Sequence, residues 1–575
     1  MSQLRKHDKN IRLSHELSEG EKKATGNRKV KVLKCLKHLG IACDENNVPN
    51  IAVLGSGGGL RAMIALLGTL VEMKNQGLLD AVMYLCGVSG STWCMSLLYK
   101  DKDWTEKVQD LEEYLCNTLS TFSWSRQEAY SLVREAAEDE LFSLTDVWAS
   151  FFVYKMLQQY DETKLSKHED TSTCGTNPYP IYAAVEENKL NKESENSPGT
   201  WFEFTPHESG FPGLGAFVCT KDLGSKFENG KLKNNSEEKN VCFLQALWGS
   251  ALGSMDENRI FVAELIHNTF FGGLGGKQEN AEHEAGQLPK VVMSVRGRST
   301  DCTCAHCRGI ILLLELQFQA SEGKDSEGVF RELKEILKGE KSKKAYQKCC
   351  EMSETWGSKT WKERMADCAE LDRIFETEHG GNIWSGHNFL WKIYNCVCHW
   401  KWGSINNFLY KYRDAHSTGL ARDKVIHLID AGLAINSAYP LVLRPERKVK
   451  LILSFDFSAG DPFETIKKTA TYCEANQIPF PKIDKKKLKN PNNPSDCYIF
   501  KGKDVPTVMH FPLFNSMNCP GEIDNFRNKF PTFSMSYPDD DVKQLLKKAK
   551  MNVSNNKKMI LEEIQQIVSS STKEF

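Results

Sequence analysis

Residues 51–99 read IAVLGSGGGLRAMIALLGTLVEMKNQGLLDAVMYLCGVSGSTWCMSLLY. Ile51 to Leu54 is an apolar run of strand length. Gly55, Gly57, Gly58 and Gly59 follow, where the backbone can turn sharply and expose its N–H groups. Leu60 to Gln76 carries Met63, Ile64, Leu67, Leu70 and Val71 at helical spacing, and Gly77 caps it. Val82 to Cys86 is a second strand, which runs into Gly87-Val88-Ser89-Gly90-Ser91 with a helix starting at once. The order of strand, glycine loop, helix, strand, serine turn and helix predicts an α/β fold. A serine at a strand-to-helix elbow, beside a loop of free N–H donors, is the arrangement that acyl transfer needs.

Other readings of the glycine string fail on its own residues. A dinucleotide fingerprint wants glycine at the sixth position from Gly55, where Leu60 stands, and an acid after the next strand, where Gly87 stands. A phosphate loop ends in Gly-Lys-Ser/Thr, whereas Leu60-Arg61 follows here. The serine turn departs from G-x-S-x-G because Ser91 replaces the last glycine. An isolated G-x-S is a polar turn; the upstream glycine loop at βα spacing is what gives Ser89 its weight.

GSGGGLRAM followed by GLLDAVMYLCGVSGSTW resembles the cytosolic phospholipase A2 family, which is related in fold to patatin. WFEFTPHESG (201–210), GSKFENG (224–230), FLQALWGSALG (243–253), WGSINNFLYKY (402–412) and DAGLAINSAYPLVLRPERKVKLILSFDFSAGDPFETIKKT (430–469) extend the likeness. It runs from about Leu33 to about Ile567, with a divergent stretch near 256–390, and is strongest to the gamma-type branch, which lacks a calcium-binding C2 domain. The resemblance implies a patatin-like catalytic domain with a central mixed sheet flanked by helices and long insertions. It also implies a Ser–Asp dyad of Ser89 and Asp430 with no histidine. The backbone N–H groups of Gly58 and Gly59 become the oxyanion donors. Arg61 is expected to hold the lipid phosphate, and Arg447 matches a second arginine of the family, with Arg444 as its competitor. Phospholipids and lysophospholipids are the implied substrates, with lysophospholipase and transacylase activity and no cofactor.

Read from the residues alone, Asp430 follows the apolar strand Val425 to Ile429, a sensible place for a loop acid, but a structural turn aspartate fits equally well. Asp456, after Leu451 to Phe455, is the rival. A Ser89–Asp430–His510 triad is the chemical alternative, since its chain order suits an α/β-hydrolase. His427 lies nearer in sequence, but an offset of three residues on a strand turns it to the opposite face from Asp430. Other rivals are an esterase for soluble substrates and a non-catalytic lipid-binding relative; the latter is disfavoured because Ser89, the glycines and Asp430 are all present.

Composition sets the frame. Hydrophobic residues make up 40% of the 575, enough for a large core, and a net charge of −1 steers the chain toward neither nucleic acid nor membrane. Ser89 and Asp430 lie so far apart in sequence that one core has to unite them. The expected organisation is a disordered segment 1–27 and a single catalytic domain 28–575, with a variable insertion near 256–390 able to form part of a lid. Arg28 to Leu39 is a basic amphipathic helix, read as packed on the core rather than resting on anionic lipid. Residues 163–200 read as polar and turn-rich, and 318–382 as charged and helical.

Nineteen cysteines, an odd number scattered through apolar segments, fit reduced thiols. Residues 1–31 are polar and charged, no apolar run is of membrane-spanning length, position 2 is not glycine and the sequence ends Thr572-Lys573-Glu574-Phe575, so no secretory leader, membrane span, myristoylation or prenylation is expected. The expected location is therefore the cytoplasm, with peripheral contact to intracellular membranes. Lysines at 485–487, 489, 543, 547, 548 and 550 read as solvated faces. Cys302-Thr303-Cys304-Ala305-His306-Cys307, with Cys396, Cys398 and His399, collects zinc-type ligands. C-x-C-x-H-C is too cramped for one ion, so free thiols and no metal are expected.

Overall fold

The computed structural model describes residues 10–121, 125–190, 197, 199–251, 305–322, 325–339, 343–379, 392–393, 395–397, 400–412, 419–484 and 486–571. The chain divides into two compact units. The first comprises residues 1–133, 145–251 and 402–575, and the second residues 134–144 and 252–401. The first unit holds a 12-stranded sheet. In chain order its strands, together with a separate hairpin of β8 and β9, are β1 (Arg12–Leu13), β2 (Asn50–Gly55), β3 (Tyr84–Gly87), β4 (Tyr179–Glu186), β5 (Trp201–Phe204), β6 (Glu208–Phe211), β7 (Ala216–Cys219), β8 (Lys226–Glu228), β9 (Lys231–Asn234), β10 (Ser404–Asn406), β11 (Val425–Asp430), β12 (Val449–Asp456), β13 (Tyr498–Phe500) and β14 (Thr507–Pro512). The spatial order runs β1-β7-β6-β5-β4-β3-β2-β12-β14-β13, with β11 paired to β4 and to β10.

The centre of the sheet is parallel: β4, β3, β2, β12 and β14 run the same way. β2 and β3 are buried almost throughout, as strands covered on both faces must be. Helix α1 spans Glu19–His38, α2 spans Gly59–Asn75 and α3 spans Gly90–Leu98. Helix α2 packs against the long C-terminal helix Asp539–Ser571 and against α3. β11 joins the edge of β4 that β3 also uses, but antiparallel. Gly87 at the end of β3 faces Tyr182, and Asp430 at the end of β11 faces Ala184. Two strands therefore approach each other end to end along β4, and their tips are separated by about 7 Å of strand rise.

Sequence expectations meet this fold unevenly. The strands and helices of residues 50–99 stand within a residue or two of their expected bounds. The turn-rich reading of 163–200 is corrected, because β4 runs through it with all eight residues buried. The described part of 318–382 is helical, in Ala305–Glu322, Glu327–Leu337, Lys343–Thr355 and Trp361–His379 of the second unit.

The disordered N-terminus is also corrected: from Asn10 onward the chain is placed, β1 pairs with β7, and α1 begins at Glu19 behind the N-cap Ser18. The reason is electrostatic. Glu21 in α1 is buried against Arg447 at 2.8 Å, and Arg447 also meets Glu203 of β5 at 2.8 Å. Val32 and Leu36 on the same helix are fully buried, so α1 packs on the core.

Arg447 is wholly enclosed in this network. Removing it leaves Glu21 in the interior without a counter-charge and Glu203 with Arg444 alone, a loss that typically costs about 3–5 kcal/mol. Arg447→Ala is accordingly expected to lower the midpoint of urea or thermal denaturation markedly, and an unchanged midpoint would contradict the network.

Candidate active site

Ser89 sits between β3 and α3 with φ 52° and ψ −125°. This is a strained conformation for a residue with a side chain, of the kind that persists when surrounding structure holds it. Here the holding is local: the N–H and the hydroxyl of Thr92 both donate to the Ser89 carbonyl, at 2.9 and 2.5 Å. The strain lifts the side chain away from the path of the sheet, and the residue keeps 8% of its surface exposed.

The glycine loop comes to the same spot. Gly59 has φ 59°, and Gly58 has φ 149°. Gly90 packs so closely that a Cβ there would stand 1.9 Å from the Gly59 carbonyl oxygen. The N-terminal ends of α2 and α3 therefore converge beside Ser89, and both present positive dipole ends. The Gly57 N–H is spent on the Asn436 carbonyl at 3.1 Å, and Asn436 Nδ2 returns a bond to the Gly57 carbonyl at 3.2 Å. Among the described residues the N–H groups of Gly58 and Gly59 are spent on no other group.

Asp430 closes the site. It is fully buried at the end of β11. Its Oδ1 accepts from the Gly432 N–H at 2.8 Å and its Oδ2 from the Ala251 N–H at 3.3 Å, while the Ser89 hydroxyl lies beside the carboxylate and favours its charged form. Burial raises the carboxyl to about 6, against the opposing pull of the Gly432 and Ala251 hydrogen bonds and of the neighbouring Ser89 hydroxyl. A carboxylate with that affinity for protons, set beside a hydroxyl and unspent N–H donors, can take a proton from an attacking alcohol and return it to a leaving group.

A family model described as a lysophospholipase catalytic domain matches residues 51–267. Cytosolic phospholipase A2 gamma of Mus musculus is 38% identical across 96% of this chain and 92% of its own length, and that of Homo sapiens is 40% identical across 96% and 95%. The chain belongs to the cytosolic phospholipase A2 family. Its enzyme class is accordingly that of a phospholipase A2 and lysophospholipase hydrolase. In fold it is similar to the solved human GIVD cytosolic phospholipase A2, with a TM-score of 0.66 at 24% identity over 98% of this chain and 69% of that one. A further structure of that human protein, in complex with methyl gamma-linolenyl fluorophosphonate, gives a TM-score of 0.62 at 23% identity, over 97% and 66%.

The two arginines of this cytosolic phospholipase A2 stand differently from expectation. Arg447 is not available to a lipid headgroup. Nε and Nη2 bond Glu21, Nη1 and Nη2 bond Glu203, and Nη1 also bonds the Leu441 carbonyl. A guanidinium has five N–H donors, and these contacts use all of them. Arg444, its competitor, is bound to Glu203 and to the His15 carbonyl. Arg61 does lie at the site, yet it is 1% exposed and turned inward. Its Nε donates to the Phe457 carbonyl at 2.7 Å, Nη1 to the Phe530 carbonyl at 2.5 Å and Nη2 to Thr532 Oγ1 at 3.1 Å. Nη2 lies 2.7 Å from where a Gly58 Cβ would be, so the guanidinium braces the glycine loop from beneath.

The histidines stay away. His510 is fully buried on β14, its Nε2 bound to the Pro462 carbonyl at 2.7 Å, and β2 and β12 intervene between it and β3. His427 is held by the Trp402 carbonyl at 3.0 Å. Asp456 caps a turn, with Oδ1 accepting from the Ser458 N–H at 2.8 Å.

Several supporting residues were not anticipated from sequence. Ser56 accepts from the Phe457 N–H at 2.7 Å, Ser91 donates to the Ser56 carbonyl at 2.6 Å, and Asn436 and Ser250 hold the loop and the acid. Their signal was only that small polar residues cluster around the family motifs.

Of the Cys/His cluster, Cys302, Cys304, Cys398 and His399, together with the side chains of His306 and Cys307, lie outside what is described. Among the described residues the cysteines are free thiols, and no helix is long and apolar enough to cross a membrane.

Proposed function

We propose that this chain cleaves fatty-acyl esters of glycerophospholipids and lysophospholipids through a Ser89–Asp430 dyad. The observation that carries the reading is that the strained Ser89 elbow, at the tip of β3, stands beside the buried Asp430 carboxylate at the tip of β11. Asp430 takes the hydroxyl proton as Ser89 Oγ attacks the ester carbonyl. The N–H groups of Gly58 and Gly59 receive the developing oxyanion, a contribution that typically amounts to roughly 3–4 kcal/mol per donor. Asp430 then passes its proton to the departing lysophospholipid or glycerophosphoryl alcohol. Water, or the hydroxyl of a second lipid, next takes the acyl group from Ser89, and the second route is transacylation.

Every group in this scheme belongs to the protein, so turnover is proposed to need no calcium and to persist in excess chelator. The family's names place relatives in the cytosol, and the chain is proposed to work there, touching membranes to collect substrate. A long-chain fluorophosphonate, of the kind bound by the human GIVD relative, tests the nucleophile. The reading requires one covalent adduct, on the peptide holding Ser89, lost in Ser89→Ala. An adduct on another residue would refute it.

Arg61 enters as a brace rather than as a phosphate ligand. Arg61→Lys keeps the charge but loses the planar set of donors that ties Phe457, Phe530 and Thr532 to the glycine loop. The expected result is a fall in kcat of about 10- to 100-fold with KM little changed, as misplaced donors produce. The same loss should appear on a neutral acyl ester lacking phosphate. A defect confined to phosphate-bearing substrates, seen mainly in KM, would return Arg61 to the headgroup.

A further inference from the structure

Two of the bonds that fix Asp430 come from a distant stretch of chain, and that same stretch is fastened to the nucleophile's helix. Trp93 of α3 donates its indole N–H to the Gln245 carbonyl at 2.7 Å, and Gln245 Nε2 donates to Ser96 Oγ, also of α3, at 2.9 Å. Gln245 lies in the helix Val241–Trp248. Trp248 stacks on Tyr182 of β4 with ring centroids 4.5 Å apart, at the register position that faces Gly87. Gly249 lets the contact close, since a Cβ there would stand 2.3 Å from the Trp93 ring. The segment then reaches the acid: Ser250 Oγ accepts from the Asp430 N–H at 3.1 Å, and the Ala251 N–H donates to Oδ2 at 3.3 Å.

We propose that residues 245–251 form a spacer that sets the separation of Ser89 and Asp430, with Ser250 and the Ala251 N–H as positioning groups for the carboxylate. This rests on reading Ser89 and Asp430 as the dyad. The physical case is the two-sided grip. Gly432, in the acid's own turn, holds Oδ1, and Ala251 holds Oδ2, so rotation of the carboxylate would break both bonds. Being anchored on α3 at one end and on Asp430 at the other, the segment passes any shift in α3 to the acid. The groups bonded to the Asp430 carboxylate are Gly432 and Ala251, the Ser89 hydroxyl lies beside it, and the buried Ser250 touches its N–H. None is charged, so the donors are what hold its ionised form against burial.

The test compares Ser250→Ala, Ser250→Thr, Ala251→Pro and Asp430→Asn in the full chain. Kinetics on mixed phospholipid micelles, the pH profile of kcat/KM, the rate of fluorophosphonate labelling and thermal melts are the readouts. Ala251 has helical backbone, whose φ a proline adopts, and Ala251→Pro deletes the donor. It is expected to lower kcat about 10- to 100-fold with KM within about twofold. The acid limb should move to higher pH, because the ionised carboxylate has lost a donor, and labelling should slow in proportion. Ser250→Ala should do the same to a lesser degree and Ser250→Thr, which keeps the hydroxyl, should recover activity. If Ala251→Pro fails to fold, the serine pair decides.

Unmoved pH profiles and labelling rates in Ser250→Ala and Ala251→Pro, with Asp430→Asn inactive, would overturn the spacer and leave the dyad standing. Normal turnover by Asp430→Asn would overturn the dyad, and the spacer with it.

Discussion

Ser89→Ala should reduce phospholipid hydrolysis by on the order of 10⁴- to 10⁶-fold, the range seen when a serine hydrolase loses its nucleophile. The variant should fold normally. Alanine has the same backbone restrictions as serine at φ 52°, and the contacts that hold the elbow run to the Ser89 carbonyl rather than to its hydroxyl. Lipid affinity should survive, since the glycine loop and its arginine brace are untouched. Radiolabelled fatty-acid release, read beside circular dichroism, checks the expectation. Turnover within tenfold of the unmodified protein, by a folded variant, would remove Ser89 from the chemistry.

Asp430→Asn has the second-largest expected effect, a loss of about 10⁴-fold, comparable to replacing the acid of a serine hydrolase by its amide. The cause differs from that in a triad, because in the proposed dyad this acid serves the serine directly. Asparagine keeps the shape of the side chain but cannot take the proton. One of its two ends also becomes an NH₂ facing a donor already in place, either Gly432 or Ala251.

The unmodified protein should carry the matching pH signature. Asp430 must be ionised to act as base, and burial lifts it from its usual range to about 6. The kcat/KM profile should therefore fall as pH drops through about 6 and flatten above it. An acid limb near the ordinary aspartate value would mean that the carboxylate is not enclosed as observed. His510→Ala supplies the contrast: a triad demands a loss as deep as that of Ser89→Ala, whereas a histidine bound to Pro462 across two intervening strands demands near-normal turnover.

What could be read from the amino acids was local. The βαβα run from Asn50 to Leu98 was legible because each element carries its own signal: apolar strands, glycines where the backbone reverses, and helical periodicity between them. β4 was missed because Asn177-Pro178 and the polar stretch after Glu186 dominate its surroundings, although IYAAV is apolar. The N-terminal helix was cut short because Glu21 and Arg28 look like surface residues. Their burial depends on partners that no local pattern reveals: Arg447 for the first, and the carbonyls of Leu79 and Val82 for the second.

The same limit explains the arginines. Position beside a motif marks Arg61 and Arg447 as important, but most of the atoms their donors meet belong to segments hundreds of residues away. Asp430 was assigned through family likeness. The meeting of the β3 and β11 tips along β4 supplies the physical reason that this acid, rather than Asp456, reaches the serine.

The ion network around Arg447 also bears on how the protein can be trimmed for study. Helix α1 contributes Glu21, and β1 contributes Arg12, which clasps Glu208 of β6. A recombinant version begun just upstream of the glycine loop would retain every group that touches the ester. It would nevertheless strip the first counter-ion from the interior and unpair the outer strand, and such a preparation should emerge from expression insoluble or heat-labile. Poor yield from a shortened clone would then report on lost anchoring at the amino terminus, not on defective chemistry.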